Sequence, residues 1–133
     1  MVKIKQDVSY SKDEIEDIFD YGFGFQIRGI NRVTDDGGKL KSILVFSKKD
    51  GPYDDAVEGK KFTYWGEIQN GEYKTAYNEG LIKSMINDIP VHFFHKESSD
   101  EKWHYIGEVE VIGVEETEDR RGRTNYKFDL EKP

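Results

Sequence analysis

Residues Gly51 to Gln69 read GPYDDAVEGKKFTYWGEIQ, and the run Phe62-Thr63-Tyr64-Trp65 inside them has the aromatic and β-branched make-up of a strand. Successive strand side chains point to opposite faces, so only one of Tyr64 and Trp65 can share a face with a pocket. Ahead of the strand lies a Gly-Pro-Tyr-Asp-Asp loop that carries Tyr53, Asp54 and Asp55, joined to it through a Gly-Lys-Lys turn. A ring held on a loop opposite a ring on the next strand, with a carboxylate between them, suits a flat heterocycle with amide-like edges, and a nucleobase is the natural candidate. Each ring also has a plainer use. A loop tyrosine commonly packs on its neighbours, and strand aromatics are commonly core.

Outward from this stretch, Lys41–Ser47 (KSILVFS) holds the unbroken apolar run Ile43 to Phe46, which predicts a strand covered on both faces that delivers the chain into the tyrosine loop. Gln26 to Val33 reads as its hairpin partner, turned at Asp35-Asp36-Gly37-Gly38. Ser11-Lys12-Asp13-Glu14 is a capping box, and Ile15, Ile18 and Phe19 share one face of the helix it opens, ending near Asp20. Val2 to Val8 alternates as an edge strand or leader. The loop Tyr21-Gly22-Phe23-Gly24-Phe25 follows a helix instead of opening one, so it lacks the setting of a dinucleotide loop.

Beyond Gln69 come a polar loop, Asn70–Lys74, and a helix over Ala76–Asp88 with Leu81, Ile82, Met85 and Ile86 at helical spacing. Gly80 costs that helix about 1 kcal/mol relative to alanine, which points to close packing on a sheet. Pro90 opens a strand to His95, Trp103–Val114 alternates, Glu118–Arg123 is a charged turn, and Tyr126-Phe128-Leu130 closes the sheet. Strands without a βαβ rhythm predict an α+β fold, a curled sheet or half-open barrel with two short flanking helices.

The 133 residues make one domain, 1–133, with a helical leader at about 11–20. The absence of cysteine removes disulfides and thiolate zinc sites, and no apolar run reaches membrane-spanning length, so a cytoplasmic, reducing setting without a membrane partner is expected. The net charge of −7 opposes phosphate binding. Residues 97–119 hold nine acidic side chains against one lysine, whereas 39–61 and 120–133 are net basic, so an acidic segment on a far face would leave a basic surface around the tyrosines. For catalysis, Asp54 or Asp55 with Glu67-Ile68-Gln69 imitates a metal nuclease, but the usual lysine is missing. His92 and His95 fall on opposite strand faces, so neither a metal site nor a catalytic triad is supported. No cofactor and no catalytic residue are assigned.

Several short motifs in order carry a family likeness: Ser42-Ile43 to Ser47; Gly51-Pro52-Tyr53-Asp54-Asp55; Gly59 to Gly66 with Thr63-Tyr64; Gln69; Asn78-Glu79-Gly80-Leu81; Pro90-Val91; and Tyr105-Ile106-Gly107. From about Gly29 to Val114 the chain resembles the SRA or YDG domains, which flip a modified cytosine out of duplex DNA. It departs from them at Ile106, where the family has aspartate, at Pro52, where it has glycine, and at Trp65, where a small residue is usual. The loop between the tyrosines is also one residue short. The resemblance implies a PUA/SRA-like fold in which Tyr53 and Tyr64 sandwich the base. Asp55 accepts from the base's exocyclic amine, and backbone near Gly51 and Trp65 holds its remaining edge.

Phe23 and the Asn70–Lys74 loop, with Gly71 and Tyr73, occupy positions like the family's duplex-inserting loops. Arg28, Arg32, Lys48, Lys49, Lys60, Lys61 and Lys74 are the candidate phosphate contacts. The target implied is double-stranded DNA carrying 5-methylcytosine or 5-hydroxymethylcytosine. The role implied is the specificity module of a modification-dependent restriction system, not an enzyme itself, with a nuclease domain or subunit as partner. The alternatives are a related barrel that binds RNA or single-stranded modified nucleotides, and a metal nuclease built on Asp54, Asp55 and Glu67.

Overall fold

The computed structural model describes residues 3–24, 27, 29–48, 56–58, 61–96 and 102–132. The architecture turns on one strand, β7 (Trp103–Glu118), whose 16 residues serve two sheets in succession. Its first half pairs antiparallel with β6 (Val91–Lys96), and on its other edge with the two-residue β1 (Ser9–Tyr10). Its second half pairs with β8 (Thr124–Glu131), from Glu110 opposite Glu131 to Glu118 opposite Thr124. Outward from β6 lie β3 (Leu40–Lys48), parallel to it, and then β2 (Ile30–Thr34). Outward from β8 lie β5 (Lys61–Trp65) and the three-residue β4 (Ala56–Glu58). The order β2-β3-β6-β7-β8-β5-β4 leaves β2 and β4 unjoined among the described residues, so the mixed sheet curls without closing.

Two bulges let β7 make the turn. Ile106 is the extra residue where its register to β6 slips between Phe93 and Phe94, and Ile112 the extra residue between Val111 and Gly113. An unpaired residue bends a strand and sharpens its twist. Gly107 sits at the first bulge with φ of 138°, a region closed to most side chains.

The core divides between the two faces of this curl. Ile43, Val45, Phe62, Tyr64, Phe93, Val109, Phe128 and Leu130 fill the concave side beneath α2 (Ala76–Asn87), which contributes Leu81. Leu44, Phe46, Phe94 and Tyr105 point the other way and are covered by Ile15 and Phe19 of α1 (Lys12–Phe19). The unbroken run in β3 is thereby explained: Ile43 and Val45 serve one cluster, Leu44 and Phe46 the other. At the start of α1 the capping box forms as the sequence predicts, with Ser11 Oγ accepting from Glu14 N at 3.2 Å and Glu14 Oε1 accepting from Ser11 N at 2.9 Å.

Three expectations change. The described part of the N-terminal alternation forms no strand and stays a leader, and β1 follows it after Asp7 turns the chain with φ of 63°. β5 ends at Trp65 instead of Gln69, since side-chain amides take over its backbone partners: Asn125 Nδ2 donates to Gly66 O at 2.7 Å and Asn78 Oδ1 accepts from Glu67 N at 2.9 Å. β7 runs on to Glu118, past the expected end at Val114. No helix of the described residues is long and apolar enough to cross a membrane.

Candidate nucleic-acid interface

Tyr64 is fixed at three points. Alternation along β5 turns it to the concave face with Phe62, its ring meets Phe93 edge-on at 6.4 Å between centroids, and its hydroxyl donates to Phe46 O at 3.1 Å. A Cβ on Gly29 would collide with that hydroxyl, so glycine leaves room for it. The ring is only 4% exposed. Trp65 points to the opposite side of the strand, and what remains beside Tyr64 is its backbone. Gly51, Tyr53, Asp54 and Asp55 lie outside the described residues, as do Arg28, Lys49 and Lys60. The flanks of that segment are described. β3 ends at Lys48, two residues after the carbonyl that receives the Tyr64 hydroxyl, and β4 begins at Ala56, paired with Thr63 next to Tyr64.

The loop from Gly66 to Thr75 is held by amides. Asn78 is fully buried at the start of α2; its Oδ1 accepts from Glu67 N at 2.9 Å, and its Nδ2 donates to Glu67 O at 2.8 Å and to Tyr73 O at 2.6 Å. Past this anchor, Gln69 and Glu72 exchange backbone bonds of 2.9 and 2.8 Å around Asn70 and Gly71, whose φ values are 51° and 78°. Two central residues at positive φ make the tight hairpin turn that Asn-Gly favours, so a small, exposed, stiff tip projects here. Tyr73 is tied down instead of projecting, its ring edge-on to Tyr126 at 5.1 Å and its hydroxyl donating to Glu116 Oε2 at 2.9 Å. That bond holds the Tyr73 proton and raises its pKa. Phe23 is half-buried, packed edge-on to Tyr21 at 5.2 Å and Phe46 at 5.4 Å.

Of the described basic candidates, Lys48, Lys61 and Lys74 are exposed. Lys61 faces Glu131 across the strands, and Lys74 lies 5.9 Å from the Tyr73 ring centre. Arg32 differs: its stem runs under α2 beside Gly80, and its Nε is buried without a hydrogen-bond partner among the described residues. The acidic segment does not gather on one far face, because β7 carries it across both sheets. Glu116 is bonded by Tyr73 of the Asn70–Lys74 loop, and Glu115 lies opposite Lys127.

Glu67, proposed for a metal site, has both backbone groups clamped by Asn78. Among the described residues no group of three His, Asp or Glu side chains is placed to hold a metal. His92 is buried, its Nδ1 2.7 Å from the Tyr105 hydroxyl, and burial pushes its pKa down to about 4. Burial likewise raises the Tyr105 pKa, so phenol and imidazole meet as neutral groups. The anchoring by Asn78 and Asn125 went unread in the sequence; the only signal was the Asn-Glu-Gly-Leu motif, whose asparagine and leucine both prove buried.

Comparison with solved structures returns the same fold. The SUVH5 SRA domain in complex with methylated CHH DNA superposes with a TM-score of 0.72 at 21% identity, covering 98% of this chain and 89% of that one. The SUVH5 SRA domain bound to fully hydroxymethylated CG DNA gives 0.69 at 22%, covering 96% and 89%. SUVH6 of Arabidopsis thaliana in complex with SAM gives 0.68 at 20%, covering 98% of this chain and 26% of that longer one. No curated protein matches the chain. The profile of the ScoMcrA-like SRA domain matches residues 7–132, nearly the whole sequence, and the chain belongs to that family.

Proposed function

We propose that this domain binds duplex DNA carrying 5-methylcytosine or 5-hydroxymethylcytosine, extrudes the modified base into a slot beside Tyr64, and gives a nuclease on another domain or subunit its specificity. The observation that carries this is the fixing of Tyr64 between both roots of the segment bearing Tyr53 and Asp55. Tyr53 stands three residues before Ala56, a reach of about 10 Å at most, and Ala56 is paired with the residue next to Tyr64. Relatives bound to methylated and hydroxymethylated DNA make those two bases the first to test.

The energies are compatible. Extrusion costs a few kcal/mol, stacking returns about 1–3 kcal/mol per base, and a hydrogen bond to a carboxylate about 1.5–3 kcal/mol. Because Tyr64 is 4% exposed, the reading requires that chain around it withdraw to admit the base. The duplex-entering role goes to the Asn70–Gly71 tip, with Tyr73 as its anchor and Phe23 as a packing residue.

The test is a binding panel of one duplex carrying cytosine, 5-methylcytosine or 5-hydroxymethylcytosine, with single-stranded DNA and RNA of the same sequence, at two salt concentrations. Tyr53→Ala and Asp55→Asn should weaken modified-duplex binding by about 1–3 kcal/mol each, with smaller losses on unmodified duplex. Equal losses on both duplexes, or tighter binding to the single strands, would sink the reading. The domain alone should cleave none of these substrates with Mg²⁺ present.

A further inference from the structure

We propose that the β7–β8 turn, Asp119 to Arg123, grips the sugar-phosphate backbone beside the Asn70–Gly71 tip and forms a second arm of the DNA interface. This rests on the duplex reading above, though not on base flipping. The turn is built around one carboxylate. Asp119 Oδ1 accepts from Arg121 N at 2.9 Å and Arg123 N at 3.0 Å, Oδ2 accepts from Arg123 Nε at 3.0 Å, and Asp119 O accepts from Gly122 N at 2.9 Å. Gly122 takes φ of 77°, which lets the chain close. Asp119 and Arg123 are bound to each other, and Arg120 and Arg121 are both exposed on this preorganised turn.

The two turns belong to the same end of the molecule. Tyr73 bonds Glu116 and packs on Tyr126, Asn125 donates to Gly66 O, and Gly66 N donates to Tyr126 O, so the Gly66–Thr75 loop is fastened to the last rungs before the β7–β8 turn. Two strand residues separate Glu116 from Glu118, about 7 Å, and Asn70 stands three residues from Tyr73. The tips therefore project from the same end of the sheet, where one DNA strand presents a phosphate about every 3.4 Å. Of the nearby acids, Asp119 is bound by Arg123 and Glu116 by Tyr73, Glu115 stands opposite Lys127 in the strand register, and Glu118 is exposed next to the turn. Paired guanidinium groups on a stiff turn suit phosphate oxygens better than mobile lysines do.

The experiment measures affinity against salt for the wild type, for Arg120→Gln/Arg121→Gln and for Arg120→Lys/Arg121→Lys, on unmodified and 5-methylcytosine duplexes. The Gln pair should flatten the slope of log K against log salt by about 1.8, equally on both duplexes. The Lys pair should keep the wild-type slope, and all three proteins should melt alike. An unchanged slope in a normally melting Gln pair overturns the proposal even if modified duplex is still preferred. Loss of slope in a protein without modified-base preference retains the arm and discards base flipping; no duplex binding by the wild type at low salt removes both. If the Gln pair melts lower, the Lys pair decides: a slope that falls although charge is kept would overturn the proposal.

Discussion

Asn78 and Gly80 lie two residues apart in one helix and answer to different physics. Asn78 satisfies two backbone groups of Glu67 and one of Tyr73 from a fully buried position, and the Gly66 backbone passes so close that a Cβ there would come within 2.7 Å of its Oδ1. Removing the amide orphans buried polar groups at about 1–3 kcal/mol each. Asn78→Ala should therefore lower stability by about 3 kcal/mol, read as a fall in the urea midpoint at unchanged slope. Asn78→Asp should be nearly as damaging, because a carboxylate cannot donate to the carbonyls of Glu67 and Tyr73. At Gly80 an added Cβ would meet the Ile43 methyl at 3.5 Å, ordinary contact. The close packing inferred from the sequence is present yet leaves room for a methyl group, so Gly80→Ala should stabilise by about 0.5–1 kcal/mol in the same assay.

Among elements, the junction of α1, β6 and β7 is where solution conditions should act. His92 on β6 pairs with Tyr105 on β7 and takes the edge of Phe19 from α1 at 4.9 Å between ring centres. Its folded pKa is depressed to about 4 from 6.5, so between those values the unfolded chain binds the proton and the folded one does not. Stability should then be full above pH 6.5 and fall as pH drops toward 4, by about 3 kcal/mol at most. Glu14 and Asp119, whose carboxyls are held below the usual range, lose their contributions only at lower pH. Urea titrations of the wild type and His92→Gln across pH 7 to 4 should show the dependence flattened in the variant; parallel curves would refute it. Element legibility followed local chemistry: α1 announced itself by its capping box and α2 by its period. The Ala56–Glu58 strand is too short to alternate, and the end of β7 past Val114, Glu115 to Glu118, carries no apolar side chain to continue the pattern.

For the molecule as a whole, the curl that shapes the concave face depends on β7 changing sheets between Val109 and Glu110, and the Tyr105-Ile106-Gly107 triplet bends the strand just before it does so. Tyr105 holds His92, Gly107 occupies φ of 138°, and Ile106 between them is the bulged residue, half-buried against the concave core. This explains why the triplet can lose its family aspartate without losing the fold: the flanking positions carry the geometry, and the middle one needs only to pack. It also marks the limit of what the sequence disclosed about the site, since Tyr64 could be read from alternation but its bond to Phe46 joins residues 18 apart on different strands. Gly107→Ala should cost about 1–3 kcal/mol, because the backbone is strained for any side chain and its Cβ would press on Gln6 and Lys132 at 3.3 Å. Gly113→Ala, farther along the same strand with 3.5 Å to its nearest neighbour, should cost far less. Equal losses in urea unfolding would mean that the bend is set by the partner strands, β6 and β8, and not by the glycine that now occupies it.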